Sequence, residues 1–196
     1  MMRIKSFMTL LSATLLGVAT SGLAEAQVSE RQFEVRPFLG AYLPTGDHRD
    51  LLGDAITAGM QAGYTITEHL SLVATLGVTP SSDKRIPRYS DIDLFTYDIG
   101  AELTKSFDVG QAGMTLSPFL GVGAGGRTYD YRDWNSKSET NFAGYGAIGG
   151  QLRMASLGVR VEARDYLSSF KGLIGEMPER ETRNDLTIVT ALSLSF

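Results

Sequence analysis

Near the end of the chain, "RVEAR" places Arg160, Glu162 and Arg164 at a spacing of two, and "EVR" repeats that spacing with Glu34 and Arg36. Residues two apart share one face of an extended strand. Opposite charges on a shared, enclosed face form charge-assisted hydrogen bonds. The chemistry is then a static ion-pair core, or a path for ions if the pairs exchange partners. Other reactive side chains are few. His48 and His69 are the two histidines, and His48 with Ser81, Ser82 and Asp83 makes a loose set of the kind used in acyl transfer. The bland reading of His48 is a loop histidine among solvated charges. The aspartates of "GDHRDLLGD" lack the ligand spacing of a calcium loop. "GVGAGG", from Gly121 to Gly126, lacks the lysine and helix of a phosphate loop, and its glycines are read as easing curvature and making room for larger neighbours. No catalytic, cofactor or metal site is expected.

Composition narrows the classes further. The 196 residues include no cysteine, which excludes disulfides, thiolate metal sites and a cysteine nucleophile. The 18 basic and 22 acidic residues give no cationic footprint for nucleic acid. The amino terminus has Arg3 and Lys5, an apolar run over 7–18, and "AEA" at Ala24 to Ala26. This layout predicts a secretory signal peptide over 1–26, cleaved before Gln27, with one domain over 27–196. The competing reading is a membrane anchor, since 6–24 is uncharged. The serines, threonines and small residues at the cleavage position favour cleavage.

Beyond the leader, residue-by-residue alternation predicts eight strands, over 33–43, 56–66, 70–79, 93–107, 114–129, 141–154, 157–167 and 185–196. One face carries bulky apolar residues such as Ile56, Leu76, Ile99, Leu120 and Val161. The other carries glycine, threonine, serine, arginine and acids. Connections after strands two, four and six are short. Those after one, three, five and seven are longer and polar. An all-β, eight-stranded antiparallel up-and-down transmembrane β-barrel fits strands of this length and rhythm, and closure removes edges that lipid could not satisfy. A soluble lipocalin-like barrel also alternates, but it keeps the apolar face inside. The inverted pattern here favours the membrane.

The signal peptide, the eight-strand meander with alternating connections and the terminal "ALSLSF" resemble the small outer-membrane β-barrel superfamily typified by the OmpA transmembrane domain and OmpX. The resemblance implies location in the outer membrane, with its lipids as partners. It implies that the barrel-assembly machinery reads a terminal aromatic on an alternating strand, which Phe196, Leu194, Leu192 and Ile188 match, with periplasmic chaperones acting during biogenesis. A lipid A acyltransferase of this architecture needs an apolar interior and a leading amphipathic helix, and neither is evident. A deacylase carries its histidine on late strands, yet no histidine follows His69.

Alternation directs Glu34, Arg36, Asp98, Glu102, Arg127, Arg153, Arg160, Glu162 and Arg164 inward. Eight strands leave an interior that side chains just fill, so these charges are expected to pair. The function expected is non-enzymatic: envelope integrity, and surface interaction through the long loops, where Tyr89, Tyr131 and Trp134 lie among charges and an unknown ligand would bind. The alternative is a narrow gated channel, or more remotely a lipid A-modifying enzyme.

Overall fold

The computed structural model describes residues 32–46, 49, 52–82, 91–110, 113–132, 138–170 and 181–196. Eight long strands, β1 (Phe33–Pro44), β2 (Ala55–Thr67), β3 (Leu70–Ser82), β4 (Asp91–Thr104), β6 (Met114–Tyr131), β7 (Ser138–Met154), β8 (Leu157–Phe170) and β9 (Glu181–Ser195), form one antiparallel sheet with the three-residue β5 (Phe107–Val109). Each long strand hydrogen-bonds its sequence neighbour, and β1 pairs with β9 from Glu34↔Ser195 to Pro44↔Asp185. The sheet is therefore a closed eight-stranded barrel.

Closure answers the alternation physically. Every long strand gains a partner on both sides, so its backbone groups are satisfied without water. The two faces are then sorted by side-chain chemistry. Ile99 and Val122 point outward and are 61% and 67% exposed, whereas Arg127 and Glu162 point inward and are 2% and 0% exposed. An apolar outer wall with polar atoms inside suits hydrocarbon outside.

The short strand β5 corrects the sequence reading, which ran strand four to Phe107 and left the following residues in a connection. Thr104↔Phe119 and Phe107↔Leu116 keep one register, so β5 continues β4. The ladder breaks between them because Pro118 stands opposite Lys105. Lys105 donates its N–H to the Pro118 carbonyl at 3.2 Å, but proline has no N–H to return. The Ser106 and Ser117 hydroxyls bridge the gap at 2.9 Å. The chain then turns through Gly110 and Gly113, both with positive φ. The strand bounds also extend beyond expectation, β7 beginning at Ser138.

Both chain ends of the barrel and its short turns lie together. There, β2 and β3 join through Glu68 and His69, and β7 and β8 join through Ala155 and Ser156. The strand ends joined by the long connections lie at the opposite end.

Candidate functional site: the charged lumen

Inward-facing residues of the eight long strands build a column of charge along the lumen. At the short-turn end, Arg153 Nη1 on β7 donates to Glu34 Oε1 on β1 at 3.3 Å. Glu34 also accepts from Ser195 at 3.1 Å, from Gln151 at 3.3 Å and from Arg36 at 2.7 Å. Arg36 reaches Glu102 on β4 at 3.4 Å, and Glu102 in turn binds Arg160 on β8. Arg160 donates to Glu162 at 2.7 Å, which also holds Arg164 and accepts from Gln61 at 3.3 Å. Arg164 Nη1 then donates to Asp98 at 3.0 Å and to Thr75 at 2.9 Å, while Tyr166 donates to the second Asp98 oxygen at 2.8 Å.

Thus charges contributed by β1, β4, β7 and β8 alternate in sign from the mouth to beyond mid-lumen. Buried carboxylates and guanidiniums tolerate loss of water only with such pairing. Aromatic rings supply the remaining contact. Arg160 lies 3.5 Å from the Phe119 ring centre and Arg164 4.5 Å from that of Tyr145. Tyr145 in turn meets Tyr166 at a centroid distance of 5.3 Å. Room for Tyr145 comes from the glycine-rich stretch, since a Cβ at Gly123 would lie 2.5 Å from its Cε1.

A second level sits nearer the long-loop end. Arg127 on β6 donates to Asp185 on β9 at 2.5 Å, with its guanidinium 4.5 Å from the Tyr166 ring centre and 5.4 Å from that of Tyr42. Above it Tyr42, Leu52, Ile92, Leu94 and Tyr129 form a buried apolar cluster. The Gly53 N–H donates to the Ser82 carbonyl at 3.1 Å, and the Ser81 hydroxyl to the Gly53 carbonyl at 3.0 Å. These bonds tie the segment that carries Leu52 to the end of β3.

All nine charged residues assigned inward by alternation line the lumen face, but Arg153 stands at the mouth with a third of its side chain exposed. Asp185 belongs to the same interior and is fully buried. Its place on the inner face of β9 was readable from alternation, but its pairing with Arg127 was not. The inward apolar cluster at the long-loop end was missed as well. Nor is the outer wall wholly free of charge there, because Asp93 and Arg132 pair at 2.5 Å on it. Ile188, Leu192, Leu194 and Phe196 all face outward, Phe196 being 70% exposed. His69 stands at the short-turn end, 3.4 Å from Glu68. Residues 1–26, His48, Asp83, Tyr89 and Trp134, and the side chain of Tyr131, lie outside the described residues. Among the described residues no group of three or more histidine, cysteine or acidic side chains could hold a metal.

A closed antiparallel barrel, apolar outside and ionically filled inside, defines a membrane-spanning outer-membrane barrel. The sequence model of the outer membrane protein beta-barrel domain matches residues 10–195, and the chain belongs to that family. No curated protein matches the sequence. Solved structures of the same fold include Neisserial surface protein A, 15% identical with a TM-score of 0.54, over 84% of this chain and 97% of that one. The N-terminal barrel of Pseudomonas aeruginosa OprF is 13% identical with a TM-score of 0.52, over 85% and 98%. Ail, the attachment invasion locus protein of Yersinia pestis, is 11% identical with a TM-score of 0.52, over 86% and 100%.

Proposed function

We propose that this protein is a non-enzymatic outer-membrane barrel that supports envelope integrity and makes surface contacts through its long connections, its lumen acting as a load-free structural spine. The observation that carries this reading is the uninterrupted ion-pair column from Arg153 to Asp98. A lumen crossed by paired charges offers no continuous aqueous route. Variation is then free to act at the polar connections, which in this architecture face outward from the cell. The fold is one on which a surface protein and an attachment protein are built.

On this reading the leader over 1–26 is removed on export, the outer-facing terminal residues serve recognition by the assembly machinery, and periplasmic chaperones escort the chain. Planar bilayers test the lumen: the purified barrel should show little or no steady conductance. Large, long-lived, voltage-independent openings would replace this reading with the channel. Exchange of the long connections with those of a related barrel tests the surface role, because contact to a host or cell surface should follow the connections and not the barrel.

A further inference from the structure

Between the two charged levels of the lumen lies a cavity of about 20 Å³. Its walls are unusual for this interior. Arg127 and Arg164 line it with five threonines, Gln61 and the apolar Phe38 and Val189, and no carboxylate does. Asp185 and Asp98 bind the two guanidiniums without themselves entering the lining. Glu162 also holds Arg164 without entering the lining, so both guanidiniums are charge-paired by acids that stay outside the cavity wall.

Arg127 Nε and Arg164 Nη2 are buried and have no hydrogen-bond partner, although each arginine is at least nine-tenths buried. Thr79 donates to Thr57 at 2.8 Å, and Arg164 Nη1 donates to Thr75 at 2.9 Å. Each acceptor hydroxyl keeps its own proton to donate elsewhere, since a hydroxyl has one donor and two acceptor positions. A buried guanidinium N–H left unmade costs more than a neutral one. Against these donors stands one unpartnered acceptor on a lining residue, Gln61 Oε1, whose amide nitrogen is engaged by Glu162.

We infer that this cavity is a binding site for a single halide-sized anion, held between the Arg127 and Arg164 guanidiniums and the threonine hydroxyls. The volume suits an occupant about the size of one water. It is too small for sulfate or phosphate. The site is independent of the surface role, because it uses none of the long connections.

The test uses the unmodified, folded protein. Crystals grown in bromide should show an anomalous peak between Arg127 and Arg164. In solution, sodium bromide should raise the urea midpoint of the unmodified barrel more than that of Thr187→Val, whereas sodium sulfate, which stabilises folded chains by exclusion from their surface, should raise both alike. An ordered water in place of bromide overturns the inference. So does an equal response to bromide in the unmodified barrel and in Thr187→Val. A crystallographic peak with no halide-specific shift in solution means binding at crystal concentration only, and equally overturns it. Should Thr187→Val fail to fold, Thr96→Val serves the same comparison, and the bromide peak on the unmodified chain still decides.

Discussion

Glu162 is the residue on which the lumen turns. It is completely buried and bridges Arg160 and Arg164 on its own strand while accepting from Gln61 across the lumen. Removing one member of a buried pair leaves its partner's charge without compensation, at a cost of about 3–5 kcal/mol. Glu162→Ala is therefore expected to lose that much stability, read as a lower urea midpoint for the folded band in lipid vesicles. A loss below about 1 kcal/mol would show that water reaches the column. Alternation made Glu162 legible as inward, because Arg160 and Arg164 flank it on the same face. The partners across the lumen were not legible. They depend on strand register, which brings Asp98 to Arg164 over 66 positions of sequence and Asp185 to Arg127 over 58. Asp185 was passed over because it follows the charged run "ERETRN", where an acid reads as solvated.

At the scale of the element, one turn, one glycine and one ladder break show how local geometry shapes the barrel. Ala155, in the two-residue turn between β7 and β8, has φ of 56°, a left-handed conformation that costs a non-glycine residue about 1–2 kcal/mol. Ala155→Gly should stabilise the barrel by about 1 kcal/mol, visible as a raised urea midpoint; a lowered midpoint would mean that the alanine methyl makes a contact worth more than the strain. Gly123 has the opposite constraint. Its missing side chain is the space into which Tyr145 settles, so Gly123→Ala should push the ring off Tyr166 and Arg164 and cost about 1–3 kcal/mol, as overpacking does. Unchanged stability and an unchanged Tyr145 ring environment by NMR would refute that account. From sequence the glycines announced room inside the barrel, but which ring used it followed from the pairing of β6 with β7. The break before β5 had a visible cause in Pro118, yet its effect needed Lys105 to stand opposite.

For the whole molecule, the apolar wall defines the solvent. Arginine on the lipid face costs about 2–4 kcal/mol at mid-membrane and about 0–1 near the interface. Ile99 pairs with Ala74 and Ala124 in the middle of β4, whereas Leu157 opens β8 at the short-turn end. Ile99→Arg should accordingly destabilise by several-fold more than Leu157→Arg in lipid vesicles. Equal losses would place the membrane elsewhere on the wall. Thr96, though on the opposite face from Ile99, lines the small lumen cavity and is no neutral control for such a substitution. The architecture itself was legible because period two persisted through nearly every strand and the connections alternated in length. Less legible was the apolar cluster of Tyr42, Ile92, Leu94 and Tyr129 at the long-loop end, since a bulky residue on the otherwise polar face looks like an error of phase.

The central charges of the column sit on β8, the penultimate strand. Among the described residues Asp98, on β4, has Arg164 as its cationic partner, and Glu102, held by Arg36 on β1, gains Arg160 as its second. A chain that assembled strand by strand from its amino end would hold these carboxylates half-neutralised until β8 arrived, and an unpaired carboxylate is expelled from hydrocarbon. Early strands are thereby kept from settling into the bilayer interior as an open sheet. Neutralisation comes with β8, one strand before β9 closes the sheet on β1, so an open sheet short of β8 carries Asp98 and Glu102 without their β8 partners.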